Sequence, residues 1–234
     1  MCEIILNMKS NVSNGVEIIP TIVPTSLADI LEWSEKFARF AHSIHIDAGD
    51  GAFVSNTTWF PTAIYTLPFS DKVLYEAHLM VRSSREIGLQ FIRSGCRRII
   101  GHMETFLNAD EARGALNFWK EQNAESGLAL LIDTPLITLE PLAGAYDFVL
   151  LMAIATLGKQ GAAFDERIYE RVRELHARHP DLIIAIDGGV SAKNIKALAE
   201  AGASRFSVGS AISLSPSPEA AYAELAALAE SARI

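Results

Sequence analysis

From residue 18 onward, short β-branched or aliphatic runs alternate with longer segments whose apolar residues recur at helical spacing. The runs fall at 18–23, 43–47, 75–80, 98–103, 128–132, 148–152, 182–187 and 205–208. Helical candidates lie between them at 26–40, 84–93, 109–120, 165–178, 194–201 and 218–233. Strand-helix alternation of this kind builds parallel sheets. Eight such units in about 215 residues sit near the lower size of a closed (β/α)8 barrel. We therefore expect an α/β chain folded as one such barrel. A doubly wound open sheet shows the same alternation, and the repeat count alone does not separate the two.

Local punctuation supports the helices. Ser26 is placed to cap the first, and Pro218 followed by Glu219 suits the first turn of the last. Gly95 and Gly202 stand where an apolar periodic run stops, as left-handed C-terminal caps do. The segment 59–67 is too short to read as a helix. Residues 1–17 have no clear period and carry Asn7, Ser10, Asn11, Ser13, Asn14 and Gly15. They read as an N-terminal extension to a catalytic barrel spanning 18–234.

Composition narrows the class. Half of the 234 residues are hydrophobic, enough for a sizeable core and too many for a disordered chain. Lys and Arg number 20 against 28 Asp and Glu, a net charge of −8 with no local basic patch. That argues against nucleic acid or an anionic membrane as partner. Cys2 and Cys96 are too few for a disulfide framework and fit free thiols in a reducing compartment. Apolar runs such as 148–155 fall well short of the roughly 20 residues that span a bilayer. Glu3, Asn7 and Lys9 do not make a signal peptide. The expectation is a soluble, cytoplasmic protein.

Barrel active sites are built at the C-terminal ends of the strands. Four residues stand there: His45 and Asp47 on the second strand, His78 on the third and Asp187 on the seventh. Positions i and i+2 of a strand share a face, so His45 and Asp47 both point into a barrel's interior. Two imidazoles and two carboxylates at one mouth are a ligand set for a divalent ion such as zinc, iron, manganese or cobalt. Any one of them alone is more commonly a hydrogen-bonded structural residue, and it is their coincidence at matching strand ends that points to a metal. His176 and His179 lie at a polar helix end and suit its dipole. His42 reads as a strand-start residue, and His102 with Glu104 as a layer behind the candidate ligands or, the safer reading, as a satisfied core pair.

A second constellation suits phosphate. Asp187-Gly188-Gly189 follows the seventh run and Gly209-Ser210 the eighth. Glycines let the backbone approach an anion closely, and the loops after strands seven and eight are the usual phosphate site of a barrel. A glycine pair alone usually marks only a turn. The loop Leu157-Gly158-Lys159-Gln160-Gly161-Ala162 after the sixth run is long enough to close over a ligand, or else is an ordinary solvated connection.

At these residues the chain resembles the ribulose-phosphate 3-epimerase family, over about residues 18–212. His45-Ile46-Asp47, running on to Asp50-Gly51-Ala52-Phe53-Val54-Ser55-Asn56, is similar to the family's H-x-D-x-x-D-G-x-F-V-P-N signature. His78-Leu79-Met80, Asp187-Gly188-Gly189-Val190 and Gly209-Ser210-Ala211-Ile212 are similar to its H-L-M, D-G-G-I and G-S-A-I, in the same order. The resemblance implies a TIM barrel and a metal-dependent isomerase of the pentose phosphate pathway. It implies that His45, Asp47, His78 and Asp187 bind one divalent ion and that Asp47 and Asp187 are also the acid-base pair. Thr21 stands where the family has a substrate-binding serine, and Met80 and Met152 match two methionines that line the site. His78 and the loop and glycine residues Gly158, Lys159, Gln160, Gly161, Gly188, Gly189, Gly209 and Ser210 complete the implied substrate contacts.

The chain also departs from the pattern. The family's N-P-G-F-G-G-Q loop is replaced by Ala155-Thr156-Leu157-Gly158-Lys159-Gln160-Gly161, Gly49 stands where a methionine is frequent, and Ser55 replaces the proline before Asn56. Lys159 adds a cation that suits phosphate. The expected reaction is interconversion of D-ribulose 5-phosphate and D-xylulose 5-phosphate through an enediolate. The alternatives are a 3-epimerase of a ketohexose 6-phosphate such as allulose 6-phosphate, and a catalytically silent phosphate-binding barrel. Homo-oligomerisation is expected, as is common for such folds.

Overall fold

A computed structural model describes residues 15–61, 65–155, 157 and 163–233. Its strands are β1 (Glu17–Ile22), β2 (Ser43–Gly49), β3 (Leu74–Met80), β4 (Cys96–His102), β5 (Glu125–Leu130), β6 (Phe148–Met152), β7 (Ile183–Asp187) and β8 (Arg205–Val208). All eight pair in parallel and in chain order into a closed barrel. The closing pair sets Glu17 opposite Arg205 and Pro20 opposite Val208. The fold is a single (β/α)8 TIM barrel, and the open doubly wound sheet is excluded because no strand is left with an unpaired edge.

Helices α1 (Leu27–Phe37), α2 (Ser84–Arg93), α3 (Ala109–Glu121), α4 (Arg167–Arg178), α5 (Ile195–Ala201), α6 (Ser210–Ser213) and α7 (Pro218–Glu230) surround the barrel. Ser26 caps α1 in a reciprocal box with Asp29. Pro218 opens α7. Gly95 and Gly202 take φ of +110° and +120°, the backbone region expected of them. None of the helices among the described residues is long and apolar enough to cross a membrane.

Some bounds differ from the sequence reading. β1 starts at Glu17, β4 at Cys96 and β5 at Glu125, each earlier than its apolar run, while β2 continues to Gly49. The early starts at β1 and β5 are acidic side chains that pair with arginines inside the barrel, so polarity hid them. α1 ends at Phe37 and turns through residues 38–40. The connection after β5 is a 3-10 helix (Leu136–Leu142) containing Pro141. No helix is found among the described residues between β2 and β3.

Strand parity sorts the core into two layers. Ile44, Ile46, Ala48, Ala77, Leu79, Ile99, Leu128, Leu130, Val149, Leu151, Ile184 and Ile186 pack outward, under the helices. Ile100, Ala129, Phe148, Leu150, Met152 and Ala185 form a separate cluster inside the barrel. Because both faces are buried, the strands read as continuous apolar runs, interrupted where an inward position is polar.

The N-terminal floor of the barrel is ionic. Arg98 is 8% exposed at its side chain and contacts Glu17 at 2.9 Å, Glu125 at 2.7 Å and Glu76 at 3.4 Å. Arg205 contacts Glu17 at 3.2 Å and Glu125 at 2.7 Å, and its guanidinium lies 4.8 Å from the Phe148 ring centroid. Gly127 makes room for that ring, since a Cβ there would come within 2.5 Å of it. Removing one member of a buried charge network leaves the others desolvated without a partner. Arg98→Ala is therefore expected to lower the free energy of unfolding by about 3–5 kcal/mol in urea titrations.

Candidate active site

Parity and register place the site. On β2, His45 and Asp47 alternate with Ile44, Ile46 and Ala48, whose outward burial turns the polar pair inward. Asp47 is in register with His78 on β3, and Met152 with Asp187 on β7. The candidate ligand atoms of His45, Asp47, His78 and Asp187 all lie within 4.8 Å of one another. His45 Nε2 and His78 Nδ1 each stand 3.1 Å from Asp47 Oδ1, and His78 Nδ1 is 3.4 Å from Asp187 Oδ2. Both imidazoles are fully buried, whereas each carboxylate keeps 13% of its side chain exposed. The histidines thus form the base of the cluster and the carboxylates its mouth.

Electrostatics follow from this crowding. Burial lowers the His45 pKa, but hydrogen bonds with Asp47 and Glu76 outweigh it and hold the value well above the ordinary one. For His78, burial is likewise overcome by Asp187 and Asp47, and the pKa is raised. Burial raises the Asp47 pKa, yet the hydrogen bonds from the two imidazoles prevail and lower it. The donor set, two nitrogens and two carboxylates converging from three strands, suits a divalent cation replacing those protons.

Each imidazole has its second nitrogen held. His45 Nδ1 lies 2.6 Å from Glu76 Oε1 and 3.1 Å from Ser207 Oγ. His78 Nε2 is 2.8 Å from His102 Nε2, and His102 Nδ1 is 3.1 Å from Glu104 Oε2. Burial lowers the His102 pKa, as does the neighbouring His78, which suits a neutral ring accepting from His78 and donating to Glu104. Glu104 accepts the Leu131 N–H at 2.8 Å and the Thr134 hydroxyl, tying β4 to the loop after β5. His102 and Glu104 do pair, and they stand behind a candidate ligand, as the first of the two sequence readings had it.

Around this cluster, Thr21 pairs with His45 in register and its buried Oγ1 has no hydrogen-bond partner among the described residues. Met80 and Met152 are buried at the ends of β3 and β6. Gly188 and Gly189 follow Asp187 at φ +100° and +67°; a Cβ on Gly188 would lie 2.7 Å from Ile154. Gly209 and Ser210 open α6 beside Thr21, whose Cβ would be 3.9 Å from a Cβ on Gly209. Gly158, Lys159, Gln160 and Gly161 lie outside the described residues. His42 immediately precedes β2, while His176 and His179 sit at the end of α4, away from this mouth.

Two further features of the motif take their roles from the structure. Asp50 of the signature is not a ligand: it accepts the N–H groups of Ala52, Phe53 and Arg82 at 2.8–2.9 Å, fixing the loop that sets Phe53 5.1 Å from His102. Gly49 opens no extra pocket room, because a Cβ there would meet Val54 at 2.8 Å and the Asn56 carbonyl at 2.9 Å. Glu76 and Ser207 were not singled out from the sequence. The available signal for Glu76 was its place two residues before His78, a charge on the inward face of a buried strand.

A TIM barrel whose strand ends gather a His/Asp cluster that could hold a metal ion, with glycine turns after β7 and β8, has the layout of a barrel enzyme's active face. The ribulose-phosphate 3-epimerase family model matches residues 17–213, and the chain belongs to that family. It is an isomerase of the epimerase class. Ribulose-phosphate 3-epimerase 2 of Cupriavidus necator is 30% identical over 225 residues, covering 91% of this chain and 92% of the relative. Ribulose-phosphate 3-epimerase of Escherichia coli is 31% identical over 201 residues, covering 83% and 88%. Among solved structures, 3-keto-L-gulonate-6-phosphate decarboxylase of Vibrio cholerae superposes with a TM-score of 0.71 at 13% identity, covering 92% of this chain and 98% of that one. A 3-hexulose-6-phosphate synthase superposes at 0.65 with 18% identity, covering 91% and 99%. These two likenesses concern the fold alone.

Metal ligation requires neutral imidazoles, and the carboxylates favour the protonated ones. Both histidine pKa values are raised, so a cation has to displace protons that are held more tightly than usual. Zinc affinity is therefore expected to fall steadily as pH drops from about 8 to about 5.5, with a limiting slope of about two protons per ion. Chelator competition across that range measures it.

Proposed function

We propose that this chain interconverts D-ribulose 5-phosphate and D-xylulose 5-phosphate by moving a proton at C3, with one divalent ion (zinc, iron, manganese or cobalt) held by His45, Asp47, His78 and Asp187. The barrel, from Glu17 of β1 onward, is the catalytic domain, the residues before it are an extension, and the enzyme works in the cytoplasm. The observation that carries this reading is the convergence of those four ligands at the barrel mouth in a chain of this family.

Inverting a carbon next to a ketone requires a base on one face, an acid on the other, and stabilisation of the enediolate between them. Asp47 projects from β2 and Asp187 from β7, three strands apart around the barrel, and both reach towards His78 Nδ1, at 3.1 and 3.4 Å. One carboxylate takes the C3 proton, and the other, protonated beforehand, returns a proton to the opposite face. The pair ends with its protonation states exchanged, and proton exchange with solvent restores them. In the reverse direction the two roles swap. A free aspartate has a pKa near 3.9 and is a weak base towards carbon. A divalent ion held by His45, Asp47, His78 and Asp187 would supply the Lewis acidity that makes the proton beside the ketone easier to remove.

Substrate placement follows from the neighbours. Thr21 Oγ1, buried and without a hydrogen-bond partner among the described residues, is a donor for a substrate oxygen. Met152, in register with Asp187, and Met80, two residues beyond His78 on β3, are the buried apolar side chains assigned to wall the substrate. The backbone of Gly188, Gly189, Gly209 and Ser210 receives the phosphate, joined by the 158–161 loop and its Lys159.

Turnover of D-ribulose 5-phosphate by chelator-stripped protein, with zinc, manganese, iron(II) or cobalt restored singly, tests the assignment. Metal-dependent formation of xylulose 5-phosphate is expected; activity only on a ketohexose phosphate would move the substrate assignment. Asp187→Asn is expected to lower kcat by at least about a hundredfold, the scale of lost general acid-base catalysis. Turnover within a few-fold of wild type would rule out the two-carboxylate mechanism. Product formed in deuterated water should carry solvent-derived hydrogen at C3.

A further inference from the structure

Glu76 sits on the inward face of β3, two residues before His78, and is 1% exposed. Its Oε1 accepts from His45 Nδ1 at 2.6 Å, and its Oε2 faces Arg98 Nη1 at 3.4 Å. Arg98 is itself pinned by Glu17 on β1 and Glu125 on β5. A continuous polar chain therefore runs from the ionic floor of the barrel through Arg98, Glu76 and His45 to Asp47 at the mouth.

We propose that Glu76 is the positioning residue of the metal centre: held by Arg98, it fixes His45 as the Nδ1–H tautomer and leaves Nε2 as the ligand. This inference rests on the reading of His45 as a metal ligand. An imidazole ligates through a nitrogen that carries no proton, and the hydrogen bond at the other nitrogen decides which one that is. A carboxylate acceptor also strengthens the imidazole as a donor to the metal. Glu76 cannot turn to solvent, and the contact to Arg98 restrains its second oxygen. In the floor network, the three carboxylates of Glu17, Glu76 and Glu125 face the two guanidiniums of Arg98 and Arg205. One negative charge is left over, and His45 is the group beside Glu76 that can draw on it. The other histidine ligand is held differently, since His78 leans on the imidazole of His102.

The test compares zinc dissociation constants of wild type, His45→Ala and Glu76→Gln by chelator competition at pH 8. Glu76→Gln is expected to weaken zinc about 10- to 100-fold, and saturating zinc is expected to return most of kcat with KM little changed. A residue that only supports the fold would lower the thermal midpoint of the metal-free protein and leave the zinc constant alone. Zinc affinity in Glu76→Gln within about twofold of wild type, while His45→Ala loses zinc, would overturn this proposal and spare the metal site. Wild type that takes up no zinc, or His45→Ala that keeps it, would instead overturn the ligand assignment and this inference with it. Should Glu76→Gln fail to fold, nitrogen-15 spectra of zinc-loaded wild type decide the matter. Protonated Nδ1 and metal-bound Nε2 on His45 are expected, and a metal-bound Nδ1 overturns the proposal.

Discussion

Closing eight parallel strands into a barrel forces every strand residue to face either the helices or the interior, and the site depends on that division. The outward positions of β2, Ile44, Ile46 and Ala48, are buried under the helix layer and lock the strand's rotation. His45 and Asp47 have no alternative to facing inward. A slip of one residue would send two polar groups into the apolar layer and expose three apolar ones to the interior, so the register is strongly specified. The same parity sends His78 and Asp187 to the mouth from β3 and β7.

The interior so defined is not a uniform apolar plug. Towards β5 and β6 it is filled by Ile100, Ala129, Leu150, Met152 and Ala185. Along β2 and β3 it is polar, from Ser43 and Glu76 up through His45 and His78 to Asp47. Burying Arg98, Arg205 and three glutamates costs desolvation that an apolar filling would avoid. The structure offsets that cost with multiple short contacts per group, and the arrangement gives His45 a fixed acceptor where an apolar neighbour would leave the ring free to choose its orientation.

The loop after β2 shows how a signature can mix roles. Asp50 shares the motif with His45 and Asp47 but spends its carboxylate on three backbone N–H groups. That turn brings Phe53 against His102 and Val54 over Gly49. The second acidic residue of the motif thus shapes the wall of the site, and the chemistry belongs to its neighbours.

The sequence by itself determined the number and order of the strands, the helix-end signals at Ser26, Gly95, Gly202 and Pro218, and the four polar residues that gather at the mouth, because apolar runs and strand ends are local properties. It left open whether the sheet closes, since closure is a pairing of β8 with β1 across nearly the whole chain. It also hid the charged strand starts at Glu17 and Glu125, whose polarity resembles a loop until Arg98 and Arg205 stand beside them. Glu76 behind His45, and His102 behind His78, were likewise decided only in three dimensions. Their partners come from other strands, at separations of 31 and 24 residues, and no local pattern encodes which nitrogen of which ring a distant side chain will hold.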